Sequence, residues 1–186
     1  IMPEGVKMRL LELRGLPVAV LIDFVHKHGG ILGPAHPCGG KYLSFTNTKR
    51  YYKSPELFKR FDFIEVFNAC ESAESNARAL KLAQKYKKPG IGGSDAHRPN
   101  CVGMGYTILP ERVTCETELI ALIRSKSAVI ETGGSLYGKT TKDKMGKADK
   151  ILTYSFWFYN KAGTIMRKRK RMLNGKIENP VDPIDP

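Results

Sequence analysis

A chain of 186 residues with 41% hydrophobic and 26% charged content is long enough to bury one core, with or without an appended subdomain, and its composition excludes a disordered chain. Lys and Arg number 31 against 18 Asp and Glu, a net charge of +13, which disfavours cationic partners and reads equally as a solvated surface or as one that attracts phosphate esters or nucleic acid. Cys38, Cys70, Cys101 and Cys115 make no CxxC pair, which excludes a zinc knuckle or dithiol motif, and with no apolar run of roughly 18 residues and no secretory leader a cytoplasmic protein without a membrane partner is expected.

In chain order, residues 17–28 place apolar side chains at helical spacing and end in Gly29-Gly30, a helix stop. Ile31 to Ala35 then reads as a short buried strand that delivers His36 at its C-terminal end. The polar stretch from Cys38 to Lys53 has the length of a functional loop, and a short helix is expected over Pro55 to Arg60. Asp62 to Ala69 is predicted as a strand, ending near Asn68. Ser72 to Lys87 is predicted as a helix with Ala77, Leu80, Leu82, Ala83 and Tyr86 on its buried side, stopped by Pro89-Gly90.

A third strand, Gly90 to Ser94, presents Asp95 and His97 at its end, ahead of a loop through Arg98, Pro99 and Asn100. Tyr106 to Leu109 and Ala128 to Thr132 are further strands. Between them Thr114 is the expected cap of a helix running to about Lys126, with Glu116 and Glu118 in its first turn. From about Thr141 to Asn174 the sequence becomes basic and aromatic and is predicted as one long helix or two, closed by Gly175 and followed by a coil rich in proline and aspartate. Two regions follow, 1–134 and a basic helical appendage with its tail at 135–186.

Alternating strands and helices of this length predict an α/β fold with a parallel sheet, and ligands of such sheets sit at the carboxyl ends of the strands. His36, Asp95 and His97 fall at those ends. Imidazole and carboxylate are ligands for zinc, manganese and iron, and an Asp-x-His at a strand mouth aims two of them at one place. His26 and His28, beside Gly29, read as ordinary helix-end residues.

The runs GGILGPAHP (Gly29 to Pro37), FDFIEVFNA (Phe61 to Ala69) and NARALKLAQKYKKPGIGGSDAHRPNCVG (Asn76 to Gly103) resemble the later metal motifs of the PHP (polymerase and histidinol phosphatase) phosphoesterases. The following stretch to about Gly134 resembles the PHP-associated region. The resemblance implies the C-terminal portion of a distorted parallel (β/α) TIM-like barrel, with a cluster of divalent ions, zinc, manganese or iron, in its mouth. It implies hydrolysis of phosphate monoesters or nucleotide-type phosphoesters by metal-activated water. On it, His36, Asp95 and His97 correspond to metal ligands, while Arg98 and Asn68 stand beside them as candidate substrate-binding residues. Asn76 is expected to tie the helix start to a neighbouring backbone.

The family pattern opens with an HxH pair and further ligands that do not precede His36 here, and His26-Lys27-His28 lies on a helix end rather than at a strand mouth. The chain is therefore expected to be truncated, incompletely represented or divergent. The block Arg167 to Arg171 surrounds its helix with charge. It reads as a solvated helix, or, beside the aromatics around Trp157, as a nucleic-acid or protein contact of a catalytically silent PHP-like module.

Overall fold

The computed structural model describes residues 1–6, 13, 15–40, 44–125, 131–138 and 146–174, the side chains of Arg50 and of residues 171–174 excepted. The chain divides into two compact units, one of Ile1–Glu4 with Val25–Lys139, the other of Gly5–Phe24 with Thr140–Pro186.

Helix α1, Val18–Lys27, runs across that division and stops at the expected glycines. Gly29 takes a left-handed φ of 76°, and the Gly30 N–H reaches back to the Val25 carbonyl at 3.0 Å, which satisfies a carbonyl the helix end leaves open. The segment after it is not a strand. Ile31 exchanges backbone bonds with Ile1, while Leu32 accepts the Asp62 N–H and donates its own N–H to the Asp62 carboxylate, but Gly33-Pro34 interrupts the run, since proline has no N–H to continue a ladder. His26 bonds the Asp62 carboxylate through Nε2 at 2.8 Å, so this histidine fastens the helix end to the segment entering the first strand.

The core of this unit begins with β1, Ile64–Asn68, which pairs in parallel with β2, Gly90–Gly93. They are joined by α2, Ala73–Tyr86, the helical crossover that parallel strands require. Ser72 caps α2 by accepting the Ser75 N–H at 3.2 Å, and Lys87 ends it in the left-handed region. Its buried line is Ser75, Ala79 and Ala83, spaced by four. The expected stripe is thus displaced: Leu80 is 47% exposed and Ala77 is exposed, because small side chains let the helix lie close to β1 while the larger ones fan outward. Around the other edge Phe45, Tyr51, Phe58, Phe61 and Tyr86 form an aromatic cluster, with Phe58 stacked on Tyr86 at 5.3 Å. The stretch 38–53 contributes to it through a 3-10 turn at Phe45–Asn47 and a helical turn at Lys49–Lys53.

The second sheet is antiparallel, β3 (Gly105–Ile108) with β4 (Glu131–Gly134), where an all-parallel sheet was expected. Between β2 and β3 the chain makes only a 3-10 turn, Pro99–Cys101, and α3, Glu116–Ser125, carries it back to pair in the opposite sense. The part of the last predicted strand at 128–130 lies outside the described residues. The two sheets meet through backbone. A Cβ on Gly92 would stand 2.4 Å from the Tyr106 carbonyl oxygen and one on Gly105 2.2 Å from that of Gly93, so this crossing admits only glycine. Thr107 Oγ1 accepts the Gly92 N–H and donates to the Gly92 carbonyl, at 2.9 and 2.8 Å, closing the polar groups left where the ladder is interrupted. Ile31, Phe63, Ile120 and Ile123 pack a further cluster below. Among the described residues no closed barrel is formed; the architecture is mixed α and β with two small sheets.

In the second unit, α4 spans Lys147–Asn174 as one 28-residue helix; Gly175 and the tail lie outside the described residues. No described helix is long and apolar enough to cross a membrane.

Candidate functional site

The carboxyl ends of β1 and β2 lie side by side, with Asn68 in register with Gly93; Asn68 ends β1, Asp95, His97 and Arg98 follow β2, and His36 lies on an earlier loop tied to β1 through Glu65. Two of them are held in unfavourable backbone. His36 has φ of 30° and Asp95 φ of 48°, a region costly for residues with a Cβ and maintained only where neighbours enforce it.

The enforcing groups are visible. At His36 the backbone N–H donates to Glu65 Oε2 at 2.5 Å. Glu65 also accepts the Asn68 side-chain amide at 3.0 Å, and a Cβ on Gly93 would meet its other oxygen at 2.7 Å. One carboxylate therefore ties the His36 loop to β1 and lies over β2. At Asp95 the brace is Tyr137, whose hydroxyl lies 2.8 Å from the carbonyl oxygens of both Ser94 and Asp95, and whose N–H donates to the Ala69 carbonyl at 2.8 Å. Burial, then hydrogen bonding with Cys70, pushes the Tyr137 phenol well above its usual range, so it remains a neutral donor.

Asn68 is 1% exposed and its amide is committed, Nδ2 to Glu65 and Oδ1 to the Cys70 N–H at 2.9 Å. Its side chain stabilises the turn and presents no free polar atom to a ligand. Asn76 behaves as expected of a tie: its Oδ1 accepts the Asn68 N–H and its Nδ2 donates to the Asn68 carbonyl, both at 3.1 Å. Arg98 is exposed, at the start of the Pro99–Cys101 turn.

The three ligand-type residues do not form a metal centre as placed. The His97 side chain is 80% exposed, with Nδ1 2.8 Å from the Asp95 carbonyl oxygen and 4.0 Å from its carboxylate. His36 supplies a buried Nδ1 with no hydrogen-bond partner, the kind of nitrogen an ion would take. Yet among the described residues no three His, Cys, Asp or Glu side chains come together to hold a cation. A surface depression of about 780 Å³ opens elsewhere, lined by Pro110, Arg112, Thr114, Glu118 and Leu122 among others, and includes none of these side chains.

Glu65 and Tyr137 were not legible as site residues. Glu65 sits at an ordinary alternation position of a strand, and Tyr137 lies 42 residues beyond the carbonyl it braces, so only the folded chain reveals them.

Residues 73–127 match the family model described as PHP-associated. This segment is a PHP-associated region. The matched PHP-associated span takes in α2, β2, the Asp95 turn, β3 and α3, the elements that fix one side of the strand-end rim. No curated protein and no solved structure matches the chain.

Proposed function

We propose that this chain serves a cytoplasmic metal-dependent phosphoesterase of the PHP type, acting on phosphate monoesters or nucleotide-type phosphoesters of small molecules, and that it contributes the part of the site at the ends of β1 and β2. The observation that carries the reading is Asp95. It stands in left-handed backbone at the end of β2, inside the PHP-associated region, with its carbonyl gripped by Tyr137. Strain maintained by dedicated braces at a strand mouth is a signature of a position selected for its chemistry rather than its fold.

On this reading His36, Asp95 and His97 are the ligands offered to divalent zinc, manganese or iron, and Arg98 is the cation nearest for a phosphate oxygen. The His97 Nδ1 bond to the Asp95 carbonyl fixes the ring and leaves Nε2 as the nitrogen to offer. The net charge of +13 favours approach of an anionic ester. The test is metal content by elemental analysis and hydrolysis of an aryl phosphate, with Asp95→Ala beside the parent. Bound metal and turnover that Asp95→Ala lowers at least about 100-fold support the reading; metal-free protein, or turnover unchanged in Asp95→Ala, overturns it.

The exposed aromatics of α4, Phe156 and Tyr159 among them, together with the adjoining block from Arg167, favour a second reading. In it the chain is a catalytically silent PHP-like module that binds nucleic acid or a protein through this helix. Nucleic-acid binding of that kind weakens log-linearly with salt.

A further inference from the structure

The segments 49–60 and 78–88 together hold ten Lys and Arg and a single acidic residue, Glu56, and neither belongs to the basic block of α4. Folding brings them together. Tyr86, in the last turn of α2, stacks on Phe58 at 5.3 Å and its hydroxyl donates to the Pro55 carbonyl at 3.3 Å, while Lys88 Nζ donates to the Lys59 carbonyl at 2.7 Å. Phe58 lies in the 3-10 turns of Pro55–Arg60 and meets Tyr51 at 5.6 Å, and Tyr51 meets Tyr52 at 5.7 Å. One continuous surface of the first unit therefore joins the end of α2 to the helical turn Lys49–Lys53. Since α2 leaves the carboxyl end of β1 and finishes before the start of β2, its last turn lies at the opposite end of the sheet from Asp95. A substrate held at the strand mouth does not account for these cations.

Two features of the surface say what it takes. Its cations are not neutralised: Lys49, Lys53, Lys81, Lys85 and Lys87 are exposed and, among the described residues, none is paired with a carboxylate, Glu56 being held by Lys59. The dipole of α2 favours cations in its last turn, but it asks for none at Lys49 or Lys53. Like charges on adjoining elements repel, and a polyanion that spans the elements relieves the repulsion. The second feature is aromatic. The Tyr52 ring, set between Lys49 and Lys53 in the sequence, is 75% exposed, and the half-buried Tyr86 ring has Lys85 Nζ 5.4 Å from its centre. An exposed ring flanked by lysines stacks a base while the lysines take the neighbouring phosphates. A duplex keeps its bases stacked inside, an acidic peptide brings no base, and a lipid surface calls for more inserted apolar area than one tyrosine supplies. We propose that the surface formed by residues 49–60 and the end of α2 binds single-stranded nucleic acid, with its lysines on the phosphates and Tyr52 against a base.

The inference is independent of the phosphoesterase reading and of any role of α4. The full chain is tested by fluorescence anisotropy with a labelled oligothymidylate of about 20 nucleotides, titrated at several salt concentrations. Lys49→Gln, Lys53→Gln and Lys85→Gln together are expected to weaken binding about 10-fold or more and to lower the slope of log affinity against log salt by about 2. Tyr52→Ala is expected to raise the dissociation constant about 5-fold or more, and Tyr52→Phe to leave it within about 2-fold. These side chains are exposed, so the unfolding midpoints of all these variants should match the parent. A parent that does not bind, a triple variant that binds as the parent does, or binding that falls only when Arg167, Lys168 and Arg169 are changed to Gln overturns the proposal. So does Tyr52→Ala binding like the parent, or polyglutamate or phosphatidylserine vesicles displacing the label as well as unlabelled oligothymidylate does, since the surface would then read charge alone.

Discussion

The turn after β2 and the helix α4 expose chemistry in opposite ways. At the strand ends the backbone is held by side chains: the Tyr137 hydroxyl lies on two carbonyls, Glu65 accepts the His36 N–H, and Asn68 is locked to Glu65 and Cys70. On α4 the large side chains, Phe156, Phe158 and Tyr159, stand in solvent at 69 to 75% exposure. Left-handed backbone at residues with a Cβ is costly, and here its braces come from within the same unit. Exposed apolar side chains of this size mark an interaction surface. Position is what the first region supplies, and area is what the second supplies.

That contrast breaks most decisively in the core behind the strand ends. Phe58 is fully buried and touches Phe45, Tyr51, Phe61 and Tyr86. Phe58→Ala is expected to cost about 3–5 kcal/mol by chemical denaturation; a loss under about 1 kcal/mol would mean that the cluster is not the support of β1. The glycine crossing comes next. Gly105→Ala forces a methyl against the Gly93 carbonyl, and a destabilisation of about 3 kcal/mol is expected, read by the same titration. An unchanged midpoint would show that the two sheets are not in close backbone contact, and the bracing of Asp95 by neighbouring elements would lose its basis.

What the sequence disclosed followed from local rules. The α1 stop at Gly29, the span of α2 between Ser72 and Lys87, and the β1 and β2 strands are dictated by residues within one turn of where they act. Thr114 was read as a cap, but α3 begins at Glu116 and Thr114, one residue further out than the cap position, instead donates to the Glu118 carboxylate through both its N–H, at 2.7 Å, and its hydroxyl, at 2.8 Å. The failures were non-local. The Ile31–Ala35 run has strand composition, but its partners are Ile1 and Asp62 at isolated bonds, which no pattern within the run encodes. The stripe of α2 shifted because close packing on β1 selects small residues, Ser75, Ala79 and Ala83, over the more hydrophobic Leu80. The Asp-x-His spacing singled out Asp95 and His97, which the fold places after β2, whereas the contacts of Glu65 and Tyr137 are made only on folding.

Smaller effects sharpen the comparison. Tyr137→Phe removes the hydroxyl that Ser94 and Asp95 share and keeps the ring, so a loss of about 1 kcal/mol is expected. Amide exchange at residues 94–97 should accelerate more than exchange in α2. Equal acceleration in both would mean that Tyr137 supports the fold at large rather than the Asp95 turn. At Glu4, hydrogen bonds from Cys115 and then Thr117 hold the carboxyl at about 2, below the ordinary 4.5, and the Thr117 N–H is 3.1 Å away. A carboxyl depressed in the folded state stabilises above its unfolded value and loses that contribution as pH falls through its folded value. The parent should therefore lose stability from about pH 4.5 towards 2 in excess of Glu4→Gln; parallel curves for the two proteins would sink this contact.

The smallest effect tests the other side of the comparison. Phe156 is 69% exposed, so its truncation removes little buried area. Phe156→Ala should change unfolding free energy by no more than about 0.5 kcal/mol. The same substitution type at buried Phe58 is expected to cost several times that, and the difference is the contrast between the two regions expressed in one residue. If Phe156→Ala instead cost as much as Phe58→Ala, its ring would be packed in the folded chain, and α4 would be an interior element rather than an exposed one.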